Sequence, residues 1–309
     1  MPDSDASQAP QTTAPLSTAP LPTGASTLPS APPPTLSPTP PSALRPPGEP
    51  VIHRFNWLGI YTLYLKEVQR FFKVQLQSIW APAATTLIFL AIFTLALGRA
   101  QGEVNGIPFT TFLAPGLIVM GMAQNSFQNS LSSIMIGKIH GTIIDVLLPP
   151  LSAGELLFCY VAACVTRAWA VGLAIWVAML AWPGIDVSIA NLPLVLLEGT
   201  LGGILLGLIG VITGIWADKF EHGAAVTNFL IQPLTLLSGT FYSIHVLPEV
   251  ARQMSLANPF YYMIDGFRAG FTGVAEAPVG IGLAIIGGLC VLLWVVAVLL
   301  LRSGWKLRA

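Results

Sequence analysis

Long apolar stretches alternate with short polar segments along most of the chain. Six apolar stretches cover residues 79–98, 112–136, 154–182, 192–216, 224–244 and 279–301. Because about 20 helical residues rise about 30 Å, each stretch is long enough to cross the hydrocarbon core of a bilayer. The pattern predicts an all-α integral membrane protein with six transmembrane helices. The fifth stretch is the weakest, since Pro233 and Gly239 interrupt it.

Two further segments have apolar residues at helical spacing without being apolar throughout. Residues 56–77 combine an aromatic-rich face with a face that carries Lys66, Arg70 and Lys73. This pattern predicts an amphipathic helix at the membrane interface, although packing against a soluble partner or the chain itself would produce it too. Residues 245–278 are too polar to span but contain several aromatic residues, which predicts short re-entrant helices before the last span.

The first 50 residues have a different composition. They hold 15 of the 26 prolines and only four charged residues. Such a segment buries too little apolar surface to offset the entropy of ordering, so we expect residues 1–51 to form a disordered Pro-rich cytoplasmic tail. The membrane domain is then predicted over residues 52–309.

The scarcity and placement of charge support this interpretation. Only 9% of the residues are charged and the formal net charge is zero, which excludes the basic surface of a nucleic-acid-binding protein. With six spans and both termini in the cytoplasm, ten of the 14 Lys and Arg residues lie on the cytoplasmic side. This bias follows the positive-inside rule, whereas five spans would place the two basic ends on opposite sides.

No residue pattern indicates catalysis. The Gly137–Lys138 pair lacks the other residues of a phosphate-binding loop, and the four histidines lack metal-ligand spacing. We therefore predict no catalytic residue, no metal site and no cofactor in this chain.

The loop between the second and third spans contains a short amphipathic segment over residues 139–148, which ends at Pro149 and Pro150. Its apolar residues would have no lipid to face outside the membrane, so we expect them to dock into a groove of another protein. An ordinary interfacial turn is the alternative. The apolar residues are Ile139, Ile143, Val146 and Leu147.

Polar residues within the spans are the remaining candidates. Gln124, Asn125 and Gln128 belong to a polar side of the second span, which either lines a solute pathway or bonds neighbouring helices. Arg167 lies near the middle of the third span, where it has either a structural or a pathway-lining role, and Glu198 lies about two turns into the fourth. Glycines along one face of the fourth span predict close helix packing, either within the chain or with a second copy.

Residues 112–156, 214–250 and 258–271 resemble the permease subunit of type-2 ABC exporters, in the order of their elements as well as in sequence. The resemblance covers about residues 52–302. It implies a homodimer in the bacterial inner membrane that binds two ATP-binding subunits, which would hold ATP and Mg and hydrolyse ATP. The chain would export a hydrophobic or lipid-linked solute by alternating access at the homodimer interface.

The resemblance also implies roles for particular residues. Residues 137–150 would form a coupling helix against the ATP-binding subunit, and the outer excursion before the last span would form an extracellular gate. The coupling residues would be Lys138, Ile139, Gly141, Ile143, Asp145, Val146, Leu147, Pro149 and Pro150, and the gate residues Phe241, Tyr242, Pro248, Asn258, Pro259, Tyr261 and Tyr262.

Two other functions are compatible with the composition. An ion-coupled secondary transporter would use Arg167 and Glu198 as a charge pair, but there is no evident inverted repeat and only one carboxylate lies well inside a span. An intramembrane enzyme is disfavoured because no nucleophile or metal constellation is present.

Overall fold

The computed structural model of the protein describes residues 56–104, 106–182 and 184–307. The predicted tail over residues 1–51 and the side chain of Leu147 lie outside the described residues. The described chain is mostly helical. An antiparallel pair of two-residue strands, β1 (Glu103–Val104) and β2 (Ile107–Pro108), is a small departure from the predicted all-α fold.

The first helix, α1, covers Trp57–Lys73 and begins where the Asn56 side chain accepts the N–H of Gly59 at 2.9 Å. Its Leu63 and Phe71 side chains are buried against the rest of the chain. A helix therefore occupies the predicted position over 56–77, and its placement at a membrane interface stays a prediction. A π-helical turn over Leu76–Trp80 connects α1 to α2, Ala81–Gln101.

Four long helices form the body of the membrane domain: α3 (Phe109–Ile139), α5 (Ala153–Leu180), α6 (Leu192–Trp216) and α11 (Val279–Ser303). In the described residues, four segments are long and apolar enough to cross a membrane: Leu76–Ala96, Ala153–Leu180, Leu192–Trp216 and Val279–Ser303. The 31-residue α3 is long enough, but amides and hydroxyls make it too polar to qualify. Six spans therefore remain a prediction.

The glycines of α6 lie against helices of the same chain, which answers the question that the sequence left open. A methyl group on Gly210 would lie 2.5 Å from the carbonyl oxygen of Phe127 in α3, and one on Gly214 would lie 3.0 Å from Cβ of Ile134. The hydroxyl of Ser126 donates to the carbonyl of Gly203 at 2.6 Å. Absence of side chains on this face lets α3 and α6 approach at backbone distance.

The predicted fifth span is broken. It consists of α7 (Phe220–Val226), a π-helical turn over Thr227–Ile231 and α8 (Gln232–Leu236). The helix ends after Leu236, and Gly239 turns the chain with φ of +72°. The fifth span predicted over 224–244 therefore does not form one helix, and its break lies beside Gly239, one of the two residues that interrupt the apolar stretch. Left-handed backbone at Gly239 is incompatible with a right-handed helix.

A hairpin of two helices follows a short 3₁₀ turn at Ile244–Val246: α9 covers Glu249–Ala257 and α10 covers Pro259–Thr272. α10 runs antiparallel to the first half of α6, with Met263 against Gly202 and Gly270 against Val195. Gly202 is about 15 Å along the axis from the start of α6, which is about half the thickness of a membrane. α10 therefore packs along the first half of α6, and its predicted re-entrant position in a membrane stays a prediction.

Candidate functional site

The loop between α3 and α5 contains a single helical turn, α4 (Ile143–Leu147), reached through Gly141 with φ of +70°. Ile143 is only 8% exposed and packs on Gly137, and Val146 is partly buried against the core. Ile144 and Leu148 are 56% and 74% exposed. Ile143 and Val146 thus pack at least partly on their own chain, and their predicted docking into another protein stays a prediction.

The outward apolar surface of this loop is formed by Ile139, Ile144 and Leu148, which we call the loop patch. Ile139 is 50% exposed, as predicted. Asp145, Pro149 and Pro150 are exposed beside the patch. The predicted coupling segment therefore has an apolar surface free within the described chain, although two of its members differ from the predicted ones.

Lys138 has partners within the chain. Its Nζ donates to the carbonyl oxygens of Ile215 at 2.9 Å and Ala217 at 2.6 Å, at the end of α6, and lies 3.8 Å from Asp218. Burial lowers the pKa of the Lys138 ammonium, and the carboxylate of Asp218 opposes that shift. A hydrogen bond from Lys306 at 2.7 Å holds the pKa of Asp218 below its ordinary value. Lys138 therefore caps α6.

The polar side of α3 divides between two roles. Asn129 and Ser133 are buried and bond to other helices, which is the interhelical role considered from the sequence. Gln124 and Gln128 line a cavity, and their predicted pathway role stays a prediction. Asn125 takes part in both.

Arg167 of α5 is held by α3. Its Nη2 donates to Oδ1 of Asn125 at 3.1 Å and its Nη1 to Oδ1 of Asn129 at 3.4 Å. The guanidinium is buried behind Asn125 and does not line the cavity. Of the two roles predicted for Arg167, these contacts are those of the structural one, since Asn125 lies between the guanidinium and the cavity.

The same network continues to α1 through residues that sequence reasoning did not select. Arg70 donates to the side chain of Asn129 at 3.2 Å and pairs with Glu67 at 3.2 Å. Glu67 also accepts the hydroxyl proton of Ser133 at 2.7 Å. One carboxylate, two guanidinium groups and two asparagines thus connect α1, α3 and α5.

Glu198 of α6 does not pair with Arg167. Its carboxyl group is fully buried against Gly266 of α10, and neither of its oxygens has a hydrogen-bond partner among the described residues. The charge pair required by an ion-coupled transporter is therefore absent from the described part of the chain.

The cavity lies between α2, α3 and the π-helical turn of the fifth segment, with a volume of about 390 Å³. Half of its lining residues carry amides or hydroxyls, none carries a charge, and most of the accessible wall is apolar. The polar lining residues are Gln77, Thr85, Thr86, Gln124, Asn125, Gln128, Thr227 and Gln232. The second and fifth segments therefore share one cavity, with an uncharged wall of mixed polarity.

The predicted gate residues cluster around the break in the fifth span. Four side chains donate hydrogen bonds to four backbone carbonyls that the broken helix leaves without helical partners. These bonds run from Asn258 to Leu234 (2.6 Å), Tyr242 to Leu236 (3.1 Å), Ser255 to Leu237 (3.0 Å) and Arg268 to Gly239 (2.6 Å). Backbone outside a helix is tolerated at membrane depth only where protein satisfies it.

The other gate candidates have structural contacts. Phe241 stacks on Phe93 of α2 with ring centroids 4.4 Å apart, and Tyr261 is buried with its ring 5.2 Å from that of Tyr262. Pro248 and Pro259 lie at the starts of α9 and α10. A gating role for these residues stays a prediction.

Comparison with known proteins places these features in context. The ABC-2 type transporter family matches residues 59–272, from α1 to the end of α10. The inner membrane transport permease YadH of Escherichia coli (strain K12) is 29% identical over 253 residues, which cover 82% of this chain and 98% of YadH. Nodulation protein J of Rhizobium leguminosarum bv. viciae is 25% identical over 252 residues, covering 80% of this chain and 94% of that protein.

Proposed function

Since the chain belongs to the ABC-2 type transporter permease family and is the membrane subunit of a transporter, we propose that it is the permease of an ATP-driven exporter. It moves a hydrophobic or lipid-linked solute outward through the cavity between α2, α3 and the fifth segment. The loop patch carries the proposal, because Ile139, Ile144 and Leu148 form an exposed apolar surface on a loop that is otherwise anchored to the chain.

The patch is suited to an ATP-binding subunit. Apolar side chains exposed beside polar residues are typical of sites of protein association. α4 connects through a few residues to the ends of α3 and α5, so a push on the patch reaches both helices. Two such subunits bind ATP and Mg and hydrolyse ATP, and this chain supplies the pathway.

Two copies of the chain form the exporter in our proposal, in an inner membrane like that of YadH. The ends of α3, α6 and α11 meet through Lys138, Lys306 and Asp218, which supports placing the end of α11 on the same side of the membrane as the ends of α3 and α6. The fifth segment leaves that side at Lys219 and reaches the opposite one at Ile244, whose N–H donates to Glu276 at 3.3 Å. This path supports six crossings.

Replacement of two patch residues tests the proposal. We expect Ile144→Asp with Leu148→Asp to reduce co-purification of the co-expressed ATP-binding subunit at least about tenfold, since two charges would have to be desolvated at the interface. Val246→Asp is the matched control, because Val246 is 82% exposed and lies on the predicted outer side. An intact complex with undiminished ATPase coupling in the double variant would show that the patch is not the docking surface.

A further inference from the structure

The cavity wall has no charged side chain, but charged side chains lie directly behind it. Arg167 and Arg70 contribute two positive charges to the network between α1, α3 and α5, and Glu67 contributes one negative charge. Glu67 is already engaged by Arg70 at 3.2 Å. The network therefore carries a net charge of one positive unit beside the cavity.

Arg167 is the group without a counter-ion. None of the ion pairs between residues 56–104, 106–182 and 184–307 includes it, and its hydrogen bonds go to neutral amides. Its Nε has no partner at all in that part of the chain. Arg167 lies about 21 Å along α5 from Ala153, which is near mid-membrane, where an unpaired cation is costly.

Asn125 transmits this charge to the cavity. Its Oδ1 faces Arg167 and its Nδ2 donates one proton to the carbonyl of Gly121 at 3.0 Å. An amide nitrogen has two protons, so one remains for the cavity that Asn125 lines. Gln124 lines the same cavity, and its Nε2 is buried without a partner among the described residues. The wall thus offers donors in front of a positive charge.

We propose that this cavity receives an anionic group of the transported solute, of the phosphate class. A phosphate accepts hydrogen bonds and supplies the negative charge that Arg167 lacks. That the bound solute is transported rests on the proposed function, whereas the binding itself requires only this chain. The phosphate can belong to a lipid headgroup or to a water-soluble solute, and the experiment distinguishes these sources.

The test uses the full chain in phosphatidylcholine nanodiscs, without any ATP-binding subunit. Phosphatidic acid in the bilayer is one probe and glycerol 3-phosphate in solution is the other, with phosphatidylcholine and glycerol as their neutral counterparts. Binding is measured by native mass spectrometry and by the shift in melting temperature. We expect saturable binding of one phosphate probe, and the arm that saturates identifies the source.

Asn125→Asp is the decisive variant because it places a carboxylate beside Arg167. Without any probe it raises the melting temperature, and it weakens binding of the phosphate probe about tenfold or more through like-charge repulsion. Asn191→Asp is the matched control: Asn191 caps α6 outside the cavity, and aspartate caps equally well. We expect the Asn191→Asp variant to bind the phosphate probe as tightly as the parent chain does.

Arg167→Gln gives a second reading should Asn125→Asp fail to fold, and it abolishes the preference for phosphate over the neutral probe. The proposal is overturned if neither phosphate probe exceeds its neutral counterpart, if Asn125→Asp and Asn191→Asp bind equally, or if Asn125→Asp lowers the melting temperature. Because no ATP-binding subunit is present, a negative binding result says nothing about co-purification through the loop patch. A negative co-purification result likewise says nothing about phosphate binding.

Discussion

At the residue scale, Lys138 shows how one cation can end a membrane helix. The last carbonyls of a helix have no intrahelical partner, and they carry the negative end of its dipole. The ammonium group of Lys138 lies among those of Gly214, Ile215 and Ala217 at the end of α6. Its reach from α3 fixes the two helix ends to each other.

We expect Lys138→Ala to lower the free energy of unfolding by about 1–3 kcal/mol, because charged hydrogen bonds to buried carbonyls are lost. The midpoint of thermal unfolding, followed by tryptophan fluorescence, measures the effect. Lys66→Ala is the control, since Lys66 is exposed on α1. Unchanged stability together with a lost ATP-binding subunit would instead make Lys138 a direct contact of the partner, as first predicted.

Residue types could be predicted from the sequence more readily than their partners. A buried arginine in an apolar stretch demands hydrogen bonds, and Asn125 was already a candidate on its own helix. That the two meet, 42 residues apart, depends on the rotation of α3 against α5. The depth of a residue along a helix follows from the helical rise, but the rotation of one helix against another does not follow from the sequence. The hydrogen-bond network of Arg167, Asn129, Arg70 and Glu67 could therefore not be predicted.

At the scale of elements, the contact between α3 and α6 depends on glycines of α6, which have no side chains to separate the two helices. Gly207 lies against Ser126 and Gly210 against the backbone at Phe127. Without a hydrophobic driving force between helices in lipid, such close packing and the Ser126 hydrogen bond to Gly203 supply the attraction.

We expect Gly210→Ala to cost about 1–3 kcal/mol, because the new methyl group meets a backbone oxygen that cannot rotate away. Gly288→Ala in α11 is the matched control, since a methyl group there would meet nothing within 4 Å. It should be neutral or stabilising by up to about 1 kcal/mol. Equal SDS-induced unfolding midpoints for the two variants would contradict the proposed tightness of the contact.

The long apolar elements were predictable and the broken one was not. The boundaries of α5, α6 and α11 follow the apolar stretches closely, because length and hydropathy decide them. In the fifth segment, Pro233 and Gly239 warned of an interruption, but its form depends on distant donors. Asn258 and Arg268 make a non-helical backbone tolerable there, and nothing local indicates that they do.

At the scale of the whole molecule, charge and chain path agree. The basic residues predict which side each loop occupies, and the contacts of Asp218 with Lys138 and Lys306 gather three helix ends on the predicted cytoplasmic side. The three cysteines, Cys159, Cys164 and Cys290, are all buried. A cysteine introduced at the surface would therefore be labelled by a thiol reagent with little background from the native cysteines.

We expect Glu249→Cys to react with a membrane-impermeant maleimide in intact spheroplasts, and Glu221→Cys to react only after permeabilisation. Both residues are exposed and flank the broken segment. The parent chain, with its buried cysteines, controls for background labelling. Labelling of both positions from the same side would refute a membrane crossing between them and, with it, the six-span topology.

The broken fifth span also has a consequence for how the protein is made. The donors that satisfy its Leu234 and Gly239 carbonyls come from Asn258 and Arg268, which are 24 and 29 residues further along the chain. When the carbonyls of Leu234 and Gly239 leave the ribosome, those donors have not yet followed them out. Until those donors arrive, we expect water or the translocon to supply the hydrogen bonds of the two carbonyls. We expect residues 220–272 to enter the bilayer together, as one unit of insertion.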